Sequence, residues 1–228
     1  MKKLLLILVL AVMCSSFARA DDSEDTEKAY QRKSYVQHLA EQGDAVAQYY
    51  LGMMYGNGEG VTLDHKEALK WFHLSAEQGV VDAQYYVGTI YALGIGEGVT
   101  QDHKEAAKFY RLAAEQGHVD AQFELGVLYS SSKEHQDYKE ATKYFRLAAE
   151  QGDAQAQWNL GRRYDKGQGV IQDYVRAHMW YNLSAGNGSE PGSEFLGIIT
   201  IKMTPAQISK AQDMAKNCEK KKYKNCES

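Results

Sequence analysis

The chain has 228 residues, of which 44% are hydrophobic and 25% are charged, and its formal net charge is −4. Proteins that bind nucleic acid or anionic membranes depend on basic patches, so this acidic balance argues against both classes. The basic residues cluster only between Lys216 and Lys224, and a solvated tail accounts for that cluster better than a docking patch does.

The first 20 residues have the form of a secretory signal. Two lysines precede an apolar run over residues 4–13, and a small-x-small site ends at Ala20. A membrane-spanning helix needs about 20 apolar residues, so the run is too short to be one. Cys14 would fit a lipoprotein, but Met13 stands where a small residue is expected. We therefore expect cleavage after Ala20, export to the periplasm or outside the cell, and no stable membrane insertion afterwards.

Residues 21–43 predict a capping helix that precedes an internal repeat. The phrase Ala-Glu-Gln-Gly occurs four times, beginning at residues 40, 76, 114 and 149. It delimits four units, at about 44–79, 80–117, 118–152 and 153–188. Self-similarity at such a period is typical of stacked helical units, so the sequence predicts an all-α protein folded as a right-handed solenoid.

Each unit opens with the pattern A-x-x-x-[LV]-G-x-x-Y, which predicts a first helix, called helix A. The spacing places the alanine, the aliphatic residue and the tyrosine on one helical face. A glycine in a helix interior costs about 1 kcal/mol relative to alanine. Its recurrence therefore predicts a partner helix packed so closely that a Cβ would clash. The four glycines are Gly52, Gly88, Gly126 and Gly161.

Glycine-rich segments after the tyrosines predict turns, and residues 130–136 replace the glycines with a loop that is either mobile or specialised in the third unit. These segments do not predict phosphate-binding loops, because no strand precedes them and no Lys-Ser/Thr follows. A second helix, helix B, then begins at an aspartate that can cap it. The glutamate three residues later can reach back as in a capping box, except that Arg176 replaces it in the fourth unit. The capping aspartates are Asp64, Asp102, Asp137 and Asp173.

Beyond the fourth unit, residues 189–217 predict capping helices, the last of which begins at a capping box over residues 204–207. Residues 218–228 form a basic tail that contains Cys218 and Cys226. An oxidising compartment would permit a disulfide between them. A continuous helix would hold their Cα atoms about 12 Å apart, beyond the roughly 7 Å that a disulfide tolerates. Pairing therefore requires the last helix to end and the chain to turn.

These motifs resemble the Sel-1-like repeat family, which is related to tetratricopeptide repeats. The resemblance rests on the helix A pattern, a G-x-G-V turn, the aspartate that opens helix B and an adjacent aromatic pair within helix B. It extends over all four units. It implies a solenoid that acts as a scaffold or adaptor through protein–protein contacts, often in the bacterial envelope or outside the cell.

Catalysis is the weakest alternative. Some exported, cysteine-rich proteins that resemble this family are described as penicillin-binding or β-lactamase-like, and Ser130 and Lys133 match S-x-x-K. However, the S-D-N and K-T-G elements of such enzymes are absent from the sequence, and the repeats contain no cysteine. The seven histidines include no pair at metal-ligand spacing, and His65 and His103 occupy equivalent repeat positions. The sequence therefore predicts no catalytic residue, no metal site and no cofactor.

The surface most suited to a function lies on helix A, away from its buried side. In solenoids of helix pairs the A helices commonly line the concave surface, and aromatic side chains with few rotatable bonds are strong anchors for a peptide. The same rings could instead pack against the next repeat. The candidate partner-binding residues are Val46, Tyr49, Tyr50, Met53, Tyr85, Tyr86, Thr89, Phe123, Glu124, Val127, Trp158, Asn159 and Arg162.

The sequence thus predicts an exported, non-enzymatic repeat scaffold that binds a protein or a peptide and no nucleic acid. A protein that binds peptidoglycan fragments is the second hypothesis, and a β-lactamase-like hydrolase is the third. Nothing in the sequence identifies the partner or the oligomeric state.

Overall fold

The structure, a computed structural model, describes residues 22–96, 99–131 and 136–227, with side chains from residue 32 onward. The predicted signal with Cys14, residues 97–98 of the second turn and Lys133 lie outside the described residues. Within these ranges the chain forms eleven α-helices and no strand. Their bounds are α1 Asp22–Glu41, α2 Ala45–Asn57, α3 His65–Glu77, α4 Val81–Leu93, α5 His103–Glu115, α6 Val119–Ser131, α7 Tyr138–Ala149, α8 Ala154–Lys166, α9 Tyr174–Gly186, α10 Glu190–Thr200 and α11 Pro205–Lys220.

Helices α2 to α9 form four A–B pairs, and each helix packs mainly against its neighbours in the chain. Helix α1 packs on the first pair, while α10 and α11 both pack on α9. Contacts limited to sequence neighbours are the defining property of a solenoid, whose end units need caps. The predicted all-α solenoid is confirmed, and α1, α10 and α11 flank its four pairs.

The glycine of each A helix marks the closest approach within a pair. A Cβ built on Gly126 would lie 2.6 Å from a ring carbon of Phe145, and one built on Gly88 would lie 2.5 Å from the Tyr110 ring. Gly52 and Gly161 meet helix B rings in the same way. The close helix pair predicted from these glycines is confirmed, and the group that occupies the space of the missing Cβ is an aromatic ring of helix B.

The B helices begin at the predicted aspartates. The Asp102 carboxylate accepts hydrogen bonds from the backbone N–H groups of Lys104 and Glu105, at 2.8 and 3.1 Å, and the other three units repeat this cap. The predicted return contact of the glutamate is wrong, because the exposed Glu105 carboxylate instead pairs with Lys108 one turn later, at 3.2 Å. A complete capping box is formed at Thr204.

The third A helix extends further than its sequence indicates. Helix α6 continues to Ser131, so Ser130 lies in its last turn and not in a loop as predicted. The Ser130 and Ser131 hydroxyls donate to the carbonyls of Gly126 and Val127, at 2.6 and 2.8 Å. Such bonds to the carbonyl four residues back let serine remain within a helical turn.

A ladder of buried glutamines explains why the Ala-Glu-Gln-Gly phrase recurs. The Gln84 side chain in α4 donates to the Ala76 carbonyl at 3.2 Å and accepts from the Gln116 side chain at 2.8 Å. The same bonds recur at Gln48, Gln122 and Gln157, with Gln78, Gln151 and Asn187 as the respective donors. Since buried amides require partners, three of the four phrase glutamines, Gln78, Gln116 and Gln151, tie the end of helix B to the helix A of the same unit. Asn187 does so in the fourth unit, while Gln42, before the first unit, contacts His38 instead.

Candidate functional site

The candidate residues of the A helices include a row of neighbouring tyrosine rings. Tyr49 lies 5.3 Å from Tyr50 and 6.0 Å from Tyr86 in the next unit, measured between ring centroids. Tyr86 in turn lies 5.7 Å from Tyr85. The row therefore crosses from α2 to α4, and all four rings are partly exposed.

These rings also pack into the repeat interface. Tyr86 stacks on the Phe72 ring of α3 with centroids 5.2 Å apart, and Tyr49 lies 6.0 Å from the same ring. Tyr49 and Tyr86 thus pack against helix B while both remain partly exposed. Packing between repeats and partner binding are compatible for rings placed in this way.

The row continues to the loop before α6. Tyr85 stacks on His118 at 4.6 Å, and His118 Nε2 lies 3.5 Å from an Asp82 carboxylate oxygen. Thr89 accepts a hydrogen bond from the Tyr110 hydroxyl at 3.1 Å. These contacts fix the row of rings in place, which limits the entropy that a bound partner would remove.

The apolar candidate residues of the last two A helices pack against a single core cluster. Phe123 packs against Phe145, while Trp158 packs against Phe195 with the Arg162 guanidinium 4.9 Å from the Trp158 ring centroid. Asn159 is only 8% exposed, so it contributes little to the surface that a partner would contact.

The middle of this surface is acidic. Burial, reinforced by the nearby Asp120 carboxylate, raises the pKa of Glu124, and burial also raises the pKa of the Tyr85 hydroxyl. Asp82 and Asp120 are exposed on the same helices. The exposed Asp82 and Asp120 carboxylates would therefore offer negative charge to a cationic group of a partner, beside partly exposed aromatic rings.

Of the two residues that match S-x-x-K, Lys133 lies outside the described residues, and the described partners of the Ser130 hydroxyl include no base. The Ser130 hydroxyl donates to the Gly126 carbonyl and accepts from the Arg163 guanidinium at 2.6 Å. A serine nucleophile needs a base that accepts its proton, and here a carbonyl and a permanent cation occupy both sides of the hydroxyl.

No group of three or more His, Cys, Asp or Glu side chains in the described part of the chain could hold a metal ion. Within the same residues, no helix combines the length and the apolar character needed to cross a membrane.

The C-terminal tail is ordered differently from the solvated tail that the sequence predicts. Its lysines are exposed, but Cys218 and Cys226 are buried and joined in a disulfide, with Cα atoms 4.6 Å apart. Helix α11 ends at Lys220, and positive φ angles at Lys222, Tyr223 and Asn225 turn the chain back. The chain thus ends its helix and turns between the cysteines, as pairing requires.

The turn places Glu227, which no sequence signal marked, between three helices. Its carboxylate accepts from the Tyr164 hydroxyl at 2.6 Å and from the Trp180 indole Nε1 at 2.8 Å, and pairs with Arg146 at 2.9 Å. Burial and the Glu227 carboxylate raise the pKa of Tyr164, so its hydroxyl stays protonated and donates. The Glu227 side chain is 14% exposed. The arrangement is a built carboxylate site, occupied by the protein's own tail.

Comparisons with known proteins agree with this architecture. A model of the Sel1 repeat family matches residues 45–80, 81–118, 119–153 and 154–189. The crystal structure of a Sel1 repeat protein from Oxalobacter formigenes is 34% identical over 77% of this chain and 74% of that one, with a TM-score of 0.65. A protective antigen of uropathogenic Escherichia coli strains that displays an SLR fold is 30% identical, with a TM-score of 0.52, and the match covers 86% of this chain but 50% of that antigen. A search of curated protein sequences finds no match.

Proposed function

This chain belongs to the Sel1 repeat family, and on that premise we propose that it is an exported, non-enzymatic scaffold that binds a protein or peptide partner. Repeats of this family generally mediate protein interactions. The proposal adds two finer points. The exported location rests on the signal-like first 20 residues. The binding surface is the set of candidate partner-binding residues on the A helices, called here the A-helix face.

The observation that carries the proposal is the row of partly exposed rings at Tyr50, Tyr49, Tyr86 and Tyr85. Rigid aromatic rings that present an edge beside packed neighbours are frequent hot spots of interfaces. The acidic groups of α4 and α6 lie on the same face, so we assign the partner an extended segment with basic and apolar side chains. Such a segment would place a cation near Glu124 and apolar groups along the rings.

Binding can be tested by capture from an envelope extract with the immobilised chain, followed by quantitative binding of each identified protein. Tyr50→Ala and Glu124→Gln should weaken specific binding at least tenfold and leave the unfolding midpoint near that of the parent. Tyr35→Ala is the matched control, because Tyr35 is 49% exposed on α1 and lies outside the face. Loss of binding in the control, or none in the face variants, would contradict the proposed surface.

Export has its own test. The protein should be recovered from the periplasmic fraction or the medium of its bacterial host, and N-terminal sequencing should begin at Asp21. An intact N-terminus on protein confined to the cytoplasm would disprove export while leaving the binding proposal standing.

A further inference from the structure

The Glu227 site belongs to a series of equivalent positions, here called the B-side column. Each position combines a residue in the third turn of one helix B, the tyrosine of the next helix A and an aromatic residue of the next helix B. The three positions are His73/Tyr91/Phe109, Arg111/Tyr129/Tyr144 and Arg146/Tyr164/Trp180. A direct contact joins the first two members in each, since the tyrosine hydroxyl bonds His73, Arg111 or Arg146.

The last position shows what such a triad can hold. The Glu227 carboxylate receives one contact each from the arginine, the tyrosine hydroxyl and the indole N–H. Tyr223 of the same tail makes a second contact with the repeats. Its ring covers Gly152, and its hydroxyl bonds the Asn187 side chain at 3.0 Å. The bound element is therefore a turn that presents a carboxylate and an aromatic ring four residues apart.

The fourth unit differs from the others on the side that the tail covers. Where the third unit has the exposed pair Glu140 and Lys143, bridged at 3.1 Å, the fourth has Arg176 and the fully buried Met179. A glutamate at the position of Arg176 would repel the Glu227 carboxylate. Arg176 pairs with Asp173 at 2.6 Å and also interacts with the charge of Glu227, so the departure of this unit from the repeat pattern is consistent with the bound tail.

The middle position carries the same kinds of donor and is open. The Arg111 guanidinium donates to the Tyr129 hydroxyl, and the Tyr129 ring stacks on Tyr144 with centroids 5.9 Å apart. Arg111 is exposed, and the described side chains supply it no carboxylate partner. Gly117, the equivalent of Gly152, has nothing within 4 Å of its Cβ position.

The first position lacks this chemistry. Phe109 offers no donor where Trp180 and Tyr144 offer an N–H and a hydroxyl. Burial lowers the pKa of His73, so its imidazole is neutral near pH 7 and does not supply a cation. Among the three positions, the middle one alone has both a free cation and two phenolic donors.

We propose that Arg111, Tyr129 and Tyr144 form a second carboxylate-binding site, which takes a glutamate side chain of a partner peptide with an aromatic residue seated over Gly117. The tail of the chain, bound one unit further on, is the template for this ligand. The site is formed by two B helices and Tyr129 of α6, and none of its three residues belongs to the A-helix face assigned above.

The test uses the full chain with its disulfide intact and a fluorescent, disulfide-closed peptide with the sequence of residues 218–228. Fluorescence anisotropy should show saturable binding that falls at least tenfold with Arg111→Gln and at least tenfold when the peptide carries Gln in place of Glu227. His73→Gln, at the equivalent position one unit earlier, is the matched control and should leave binding unchanged. Arg111 is exposed, so circular dichroism should show its variant folded.

Two outcomes would overturn the proposal. One is the absence of saturable binding to the parent chain. The other is binding that persists in Arg111→Gln but is lost in Arg146→Gln, since the peptide would then be exchanging with the chain's own tail at the last position.

Discussion

The third and fourth units share one backbone pattern but differ in what covers helix B. In the third unit, Lys143 lies over the Tyr144 ring and bridges to Glu140, with both charged groups in water. In the fourth, Met179 and Trp180 are fully buried, and the Trp180 N–H meets the tail carboxylate. An inner unit is covered by its neighbour, whereas the last one needs a cap. Here the chain's own disulfide-closed turn contributes to that cap.

The third and fourth units also differ in how far their ion pairs are exposed to water. The Glu140 and Lys143 side chains are 37% and 57% exposed, whereas Glu227 is 14% exposed. Exposed pairs contribute about 0–1 kcal/mol, while hydrogen bonds to charged groups away from water contribute roughly 1.5–3 kcal/mol. The Glu227 site is therefore expected to contribute more to stability than the exposed pair of Glu140 and Lys143.

The largest loss of stability is expected from the close contact between Gly126 and the Phe145 ring in the third unit. Gly126→Leu would drive a side chain into the Phe145 ring, which already lies 2.6 Å from the Cβ position. Helix α7 carries Phe145 together with Tyr144 and Arg146. Its displacement would therefore disturb the contacts of the third unit with the second unit and with the fourth. We expect a loss of about 3 kcal/mol in the free energy of unfolding, as overpacking of a close contact gives, measured by urea denaturation.

A glycine elsewhere in a helix A provides the control for that substitution. A Cβ at Gly56 would make an ordinary contact of 3.8 Å with Ala68. Gly56→Ala should leave stability unchanged or raise it by up to about 1 kcal/mol through helix propensity. A similar loss in both variants would mean that the close ring contact is not the cause.

The disulfide is expected to have the next largest effect, confined to the fourth unit. Replacing Cys218 and Cys226 together by serine should release residues 221–227 and lower the free energy of unfolding by about 2 kcal/mol, because the closing of a loop no longer restricts the unfolded chain. Dithiothreitol should shift the parent chain by the same amount and leave the double variant unaffected. A parent chain that is insensitive to the reductant would show that the tail does not cap the last unit.

A matched pair of substitutions tests the two arginine positions directly. Glu227→Gln removes the charge that Arg146 pairs with and should cost about 1–2 kcal/mol. Arg111→Gln changes an exposed residue, so its effect should stay within about 0.5 kcal/mol. Both free energies of unfolding are measured by the same urea titration. Equal losses in the two variants would contradict the assignment of an occupied site at Arg146 and an open site at Arg111.

Much of the fold follows from local patterns, and particular residues show why. Gly126 and its three equivalents predict a tight helix pair because glycine is costly in a helix unless space requires it. Asp102 and its equivalents predict the starts of the B helices from the need to cap free N–H groups. The length of α6 was not predictable from turn residues, because the serines bond back to their own helix.

The candidate surfaces were predictable only in part. The spacing of Tyr49 and Tyr85 placed them on the outward side of helix A, but the row they form depends on contacts between units. Glu227 carried no local signal, since its partners are as many as 81 positions away in the chain. The one hint was Arg176, where the fourth unit departs from the repeat, and it became interpretable only once the tail was located.

The smallest expected effect concerns the exposed pair of the third unit. A double-mutant cycle of Glu140→Gln and Lys143→Met should give a coupling of about 0.3 kcal/mol, because water screens a pair on a helix surface. The parallel cycle of Glu227→Gln and Arg146→Gln should give a coupling several times larger, since the Glu227 side chain is only 14% exposed and both groups bond the Tyr164 hydroxyl. If the two couplings were equal, burial beneath the tail could not be what distinguishes the last unit. The exchange of Glu140 and Lys143 for Arg176 and Met179 would then need another cause.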